Sequence, residues 1–588
     1  MSRRDAAGYA DLRSYAAIGD LRTVALVATD GSVDWLPLPD LDAIPVFARL
    51  LDAAGGGSFL LAPADPFTTE RRYLPGTAIL VTTYTTERGV VEVTDSLNLG
   101  VTGRLPWSEF ARVVTGVRGS VDMIWEIAPG TGLGTVSPWL QQTGSGPVLR
   151  MDAVTMAVRT QAAGDPVQHD RRIAARFTTA AGSEHLVALV AARSEPVRMA
   201  DPAQILANVR HTRAAWERWS SQFTYDGPWR DEALRTMVML KLLAHRQTGA
   251  IAAAATTSLP ESATGGKNWD YRLAWLRDAT YTLHCLLAYG EFEDVHASVT
   301  WLLRVARDHD GDLPVLARLD GTQPGPVIRH DVPGWRGIGP VVTGNPAAEQ
   351  LQLGVYGDLF DLVRTYVHGG NVLDLDSARF LAGAADTVCD IWQRPDSGMW
   401  ELPEIRHYTS SKMACWQALT YASELADNDH LPGNAQRWRD EAGRIRRWID
   451  EHCWSPERRA YTWYAGTTEL DTSVLLHARK GGFDAGERMS ATVDALLAEL
   501  SAGPLMYRFS GAREQEKTFT ACAFWIVTSL VHLDRRAEAL NRMDPLISLA
   551  NDVGLWSEMI DEDDHSFWGN LPQALSHLAL TTAITALS

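Results

Sequence analysis

Cysteine is scarce in this chain: there are five in 588 residues, and Cys285, Cys389, Cys415, Cys453 and Cys522 are scattered and never form a Cys-x-x-Cys pair. That leaves neither a disulfide framework nor a zinc-ligand spacing, and reduced, buried thiols are expected. Long apolar runs are missing too. No stretch approaches the roughly 18 apolar residues of a membrane span, and Met1-Ser2-Arg3-Arg4-Asp5-Ala6-Ala7-Gly8 leads into no apolar signal segment, so a cytoplasmic protein is expected. Positive charge is in deficit, 54 Lys and Arg against 72 Asp and Glu, for a formal net charge of -18. Nucleic acid or an anionic membrane as main partner would need a basic face, so a neutral small molecule fits better. The oligomeric state is not legible.

At 46% hydrophobic and 21% charged residues the chain reads as globular, and its length suggests two or three domains. The hydrophobic period changes once. Before about residue 205 the segments are short and β-branched, as in Thr77-Ala78-Ile79-Leu80-Val81-Thr82-Thr83-Tyr84-Thr85 and Val90-Val91-Glu92-Val93-Thr94-Asp95, which predicts an antiparallel β-sandwich over 1–205. A helical connector over 206–228 ends in the turn cluster Tyr225-Asp226-Gly227-Pro228. Over 229–588 the spacing predicts about twelve helices, near 231–247, 273–289, 292–308, 346–368, 375–394, 409–426, 433–453, 470–478, 487–500, 516–532, 535–550 and 571–587. Six helical hairpins of this kind can close into an α/α toroid around one central cavity. The long connections at 253–272, 309–345, 395–408 and 551–570 carry most of the Trp, Gly and acidic residues, and chemistry usually sits on such loops.

Two of them hold tryptophan-flanked carboxylates, Gly398-Met399-Trp400-Glu401 and Gly554-Leu555-Trp556-Ser557-Glu558, each expected beside a helix start. Such a pair suits glycoside hydrolysis. One carboxylic acid protonates the leaving oxygen, a second carboxylate activates water or attacks carbon, and an apolar indole wall raises the acid's pKa and stacks on sugar. Burial against Trp400 is the expected cause of a raised pKa at Glu401. A helix-capping or salt-bridged acid is the plainer reading of Glu401, and a solvated acidic loop that of Glu558, which sits in the run Glu558, Asp561, Glu562, Asp563, Asp564. That run lacks an Asp-x-Asp-x-Asp-Gly loop, so no metal is expected. Upstream, Gly265-Gly266-Lys267-Asn268-Trp269-Asp270-Tyr271-Arg272-Leu273-Ala274-Trp275-Leu276-Arg277-Asp278 puts two Arg/Asp sets and two tryptophans at one turn and helix start. A guanidinium beside a carboxylate offers a fixed fork to sugar hydroxyls, and Trp275 an apolar face; the alternative is a salt bridge tying loop to helix.

These segments resemble glycoside hydrolase family 15, in the bacterial glucoamylase-like branch that includes trehalases and isomaltose-type glucohydrolases. The resemblance spans nearly the whole chain: Ile18-Gly19-Asp20, Thr29-Asp30-Gly31-Ser32-Val33-Asp34-Trp35, Pro45 to Asp52, Thr257-Ser258-Leu259-Pro260-Glu261, the Asn268 to Asp278 block, Arg406-His407-Tyr408-Thr409-Ser410-Ser411-Lys412, Ala550 to Glu558, and Gly569 to His577. It implies a β-sandwich followed by an (α/α)6 barrel, and exo attack on a terminal α-glucoside with inversion. It assigns Glu401 as general acid, Glu558 as general base, and Arg277 with Asp278 as ligands of the innermost sugar. No cofactor is implied. Inverting geometry sets two carboxyl groups roughly 6.5 to 9.5 Å apart so that water fits between.

Other candidates stay open between contact with sugar and a packing role: His407, Lys412 with Trp416 on the same helix, Trp335 in Gly334-Trp335-Arg336-Gly337, and Trp556. Departures from the family pattern bear on specificity. Trp400-Glu401-Leu402-Pro403-Glu404 replaces a frequent Trp-Glu-Val-Arg-Gly, Lys517 stands where glycine is common, and Trp556 where leucine is frequent. An inverting exo-acting hydrolase that releases β-glucose from short α-glucosides of the maltose or isomaltose type is expected, with a trehalase as the alternative; all three substrates fit the innermost site, because each presents the same terminal glucose. Two readings of another class remain: a glycoside phosphorylase, which needs a phosphate site in place of Glu558, and a catalytically silent carbohydrate-binding protein.

Overall fold

The computed structural model describes residues 4–101, 105–290, 292–309 and 312–588. Met1, Ser2 and Arg3 of the amino-terminal stretch and Asp310 and Gly311 of the connection at 309–345 lie outside the described residues.

The first part is two antiparallel sheets of eight strands each. Alternation decides which faces meet: in Asp122–Pro129, Met123, Trp125 and Ile127 are buried while their neighbours are half-exposed, as a period-two strand on a core requires. The sheets are also pinned by charge. Arg112 pairs with Asp95 on the adjacent strand at 2.7 Å and donates across the core to the carbonyls of Gly31 and Phe59. The last sandwich strand is Glu184–Arg193, and helix α1, Pro202–Ser220, packs on the second sheet. Asp201 caps it by accepting from the Ala203 N–H, and Pro202 fits its first turn, so the helix begins a few residues before the expected connector.

The second part contains α2 (Arg230–Leu243), α3 (Leu276–Ala288), α4 (Phe292–Asp308), α5 (Gly354–His368), α6 (Leu375–Ile391), α7 (Thr409–Asp427), α8 (Ala435–His452), a 3-10 helix (Thr472–His477), α9 (Glu487–Leu500), α10 (Thr520–His532), α11 (Arg536–Ile547) and α12 (Ala574–Ala586). Packing of α3 on α5, α5 on α7, α7 on the 3-10 helix, that helix on α10, α10 on α12 and α12 on α3 closes an inner ring of six. The remaining helices form the outer ring. Composition tracks the layer: α10 is almost wholly buried, whereas α8 buries only the stripe Trp438, Ala442, Ile445 and Ile449 and is charged elsewhere.

The expected segment 470–478 is a short 3-10 helix over Thr472–His477, with Asp471 as its cap. Other starts move inward: the helix expected from 346 begins at Gly354, after a separate 3-10 segment at Pro346–Glu349. Ala274–Trp275 and Thr518–Phe519 pair as short strands before α3 and α10, and Pro572 disfavours helix at Leu571. The connections entering the inner helices are long and those leaving them short, so the loops that matter gather at the N-terminal end of the inner ring.

The sandwich braces that end. The Trp35 indole donates to the Ala255 carbonyl at 2.8 Å, Arg272 to that of Ala43 at 2.7 Å, and Asn551 to those of Arg13 and Tyr15. All five cysteines are free thiols, four of them buried. Among the described residues no helix is long and apolar enough to cross a membrane.

Candidate active site

Neither flanked carboxylate sits at a helix start. Glu401 lies in a turn eight residues before α7, at φ +61°, a conformation disfavoured for a residue with a Cβ and typical of sites that hold strain. Gln350 holds that turn by donating to the Glu401 carbonyl at 3.0 Å. Gly398 enters it at φ +64°, where an added Cβ would lie 2.7 Å from the Tyr408 ring. Glu558 precedes the strand Met559–Ile560, which pairs with Thr518–Phe519 on one side and Phe567–Trp568 on the other.

The environment of Glu401 is set from α3. The Trp275 indole donates to Glu401 Oε1 at 2.7 Å, and Arg277 Nη2 is 3.7 Å from the same oxygen. Burial raises the Glu401 pKa, while Arg277 and the indole N–H oppose it. The side chain remains 14% exposed, enough to open onto a cavity. Trp400, expected to be the acid's apolar wall, turns its indole N–H to Asp471 at 2.7 Å; the indole bonded to the acid is that of Trp275.

Glu558 is wholly buried. Its Oε2 accepts the Asn570 N–H at 2.9 Å, and its Oε1 has no protein partner. Gly569 makes this approach feasible, since a Cβ there would lie 2.5 Å from Oε2. Burial pushes the Glu558 carboxyl well above the usual range and the charge of Glu261 adds to it, with the Asn570 N–H and Arg508 opposing.

Arg277 and Asp278 occupy the first turn of α3, where a carboxylate is favoured by the helix dipole. They pair at 3.1 Å, and Arg277 also donates to the Met399 carbonyl at 2.8 Å. The fork therefore ties α3 to the turn of Glu401 and still faces the cavity. That cavity is walled by Tyr271, Trp275, Arg277, Asp278, Glu401 and Arg508, with Trp400 and Phe519 beside them. Tyr271 feels the charges of both Glu558 and Glu401.

A roomier cavity of about 300 Å³ lies elsewhere, among Tyr281, His284, Asp361, Arg479, Trp525 and His532. Its walls are mostly apolar and its one acid, Asp361, is neutralised by Arg479 at 2.9 Å, so it offers no carboxyl pair. The smaller cavity is the one lined by Glu401 and the Arg277-Asp278 fork.

The remaining candidates do not line that cavity. Trp335 is 1% exposed, donates to the Ala10 carbonyl at 3.0 Å and meets Trp568 edge-on, bridging barrel and sandwich. Lys412 is buried and donates to the carbonyls of Trp392 and Arg394, both at 2.6 Å. His407 packs on Trp448, with ring centroids 5.6 Å apart, and Trp556 meets Phe524 edge-on beneath the loop of Glu558. Lys517 pairs with Asp561 at 2.7 Å, and Asp561 also accepts the Asp563 N–H, so part of the acidic run is tied internally. Sequence reasoning did not single out Tyr271, Glu261 or Arg508. The first two lay inside quoted motifs; Arg508, between Tyr507 and Phe509, carried only the signal of a lone cation among aromatics.

An inner ring of helices, a carboxyl pair at its N-terminal end and an Arg/Asp fork beside one of the acids define a glycoside hydrolase of the (α/α)6 kind. The chain belongs to glycosyl hydrolases family 15, whose model matches residues 227–585, while a trehalase-like N-terminal domain matches residues 9–191. The trehalase of Mycolicibacterium smegmatis is 30% identical, over 97% of this chain and 90% of that one. The trehalase of Thermoplasma volcanium is 27% identical, over 97% and 93%. A bacterial glucoamylase solved with acarbose shares the fold, with a TM-score of 0.73 at 13% identity over 100% of this chain and 95% of that one.

Proposed function

We propose that this protein hydrolyses α,α-trehalose by a single inverting displacement at one terminal glucose. The observation carrying the reading is the pairing of two carboxyls with different partners at one end of the ring: Glu401, with Trp275 and Arg277 on one oxygen, and Glu558, with one free oxygen. The full-length relatives named trehalases direct the choice of linkage. In this mechanism the Glu401 hydroxyl gives its proton to the glycosidic oxygen as the bond to the anomeric carbon breaks. A water attacks that carbon from the opposite face, and Glu558 takes its proton. Arg277 and Asp278 hold the hydroxyls of the reacting ring. Trp275 and Arg277 stabilise the carboxylate that Glu401 becomes.

Time-resolved proton NMR with trehalose, maltose, isomaltose and a short dextrin, with and without phosphate, tests the reading. An inverting trehalase yields one β-glucose and one α-glucose per trehalose before mutarotation. Two α-glucose molecules would refute inversion, glucose 1-phosphate formed only with phosphate would mean a phosphorylase, and faster release from maltose or isomaltose would replace the substrate. No product from any sugar would favour a silent binding protein.

A further inference from the structure

Glu558 has a second acid beside it. Glu261 ends the segment Thr257 to Glu261; the neighbouring Pro260 carbonyl accepts the Gly569 N–H at 2.8 Å, and Gly569 is the residue packed against the Glu558 carboxylate. Glu261 is 1% exposed. Its Oε2 accepts from Arg508 Nη2 at 2.8 Å, and its Oε1 is buried without a protein partner, as is Oε1 of Glu558. The same Arg508 forks onto Glu516, which also takes Lys267 Nζ at 2.6 Å. The charged groups facing Glu261 are thus Arg508, Glu516, Lys267, Glu401 and Glu558; those facing Glu558 are Glu261, Arg508 and Glu401, with Tyr271 beside them. Two cations serve three buried carboxyls here, Glu516 has both of them, and Glu261 has a direct guanidinium contact that Glu558 lacks. Burial pushes the Glu261 carboxyl up to about 7 against the opposing charge of Arg508, and takes Glu558, which has no such contact, well above the usual range, so Glu558 is the site that gains most by taking a proton.

We propose that Glu261 is a positioning residue that makes Glu558 a stronger base, its carboxylate, paired with Arg508, lying close enough that a proton drawn from water is better stabilised on Glu558. The inference rests on the role of Glu558 given above. Glu261 touches neither water nor sugar in this account; it acts through its charge. The consequence is a pH dependence displaced from that of an ordinary glutamate base. Activity falls in acid as the pair takes up its shared proton, and that limb lies well above the usual carboxylate range, about 4.3.

Glu261→Gln keeps an oxygen for Arg508 and removes the charge. The acid limb of kcat/KM, which reports the free enzyme, is expected to move lower by on the order of one pH unit, with the plateau of kcat reduced severalfold because the base is weaker. Glu261→Asp keeps the charge and is expected to stay nearer the wild-type limb. An acid limb unmoved in Glu261→Gln, or a raised KM with both limbs in place, would overturn the inference. Should Glu261→Gln not fold, the wild-type profile decides: an acid limb at the ordinary glutamate value also overturns it. Turnover by Glu558→Gln separates the failures, since a variant that stays active removes the base itself, whereas a dead Glu558→Gln beside an unmoved Glu261→Gln limb removes only the role of Glu261.

Discussion

Trp275→Phe tests the electrostatics of the acid most directly. The indole is 1% exposed and gives its N–H to Glu401 Oε1 at 2.7 Å, so phenylalanine keeps most of the ring and deletes one donor. That donor favours the carboxylate, which forms as the proton leaves for the glycosidic oxygen. A hydrogen bond to a charged group contributes about 1.5–3 kcal/mol. At roughly 1.4 kcal/mol per tenfold in rate, its loss is worth about tenfold to a hundredfold in kcat, the lower end being favoured because Arg277 stays at 3.7 Å. The sign of the pH effect follows from the same bond. Removing a donor that stabilises the charged form raises the Glu401 pKa, so the alkaline limb of kcat/KM moves to higher pH while the maximum falls. Stopped assays of trehalose hydrolysis across the pH range give both quantities, and the melting transition checks that the Tyr271 contact, 5.2 Å between centroids, survives repacking. A kcat within twofold of wild type together with an unmoved alkaline limb would refute the coupling of Trp275 to the acid.

Further outcomes are expected. Glu401→Gln and Glu558→Gln each lower kcat at least about a hundredfold with the melting transition little changed, and near-normal turnover removes that residue from the mechanism. Lys412→Met leaves the carbonyls of Trp392 and Arg394 without their donor, each costing about 1–3 kcal/mol less whatever the buried ammonium itself cost, so the melting temperature falls while kcat stays within about twofold. A large loss of kcat with stability intact would return Lys412 to the sugar site. His577 is pushed down from 6.5 to about 3 by burial and is held neutral, its Nε2 accepting the Trp556 N–H and its Nδ1 facing Thr236. Below pH 6.5 the unfolded chain binds a proton there that the folded one does not, so this group's stabilisation is complete above 6.5 and is lost toward pH 3, at about 1.4 kcal/mol per pH unit. His577→Gln should flatten the fall of the urea midpoint between pH 7 and 4.5, and an unchanged slope would contradict the neutral histidine.

The division of the chain was legible because hydrophobic period is local: two-residue alternation and 3.6-residue stripes are written into neighbouring positions, and the segments near 292–308, 375–394 and 487–500 read almost as they fold. Element ends were less legible where a distant partner competes, as Leu316–Ala317 does in drawing Ala274–Trp275 into a strand before α3. The two-part architecture, the flanked acids and the Arg277-Asp278 fork could be read directly, since each is written in runs of adjacent residues. What touches them is set by folding. The nearer tryptophan, Trp400, turns to Asp471, while Trp275, 126 residues away, bonds the acid. Trp335 and Lys412 turn to carbonyls, and Glu261 and Arg508, 247 residues apart, meet beside Glu558. Ring closure is the cause: the loops entering the inner helices come from points spread along the sequence and converge on one end of the barrel, and with them come the charges that set the ionisation of each acid.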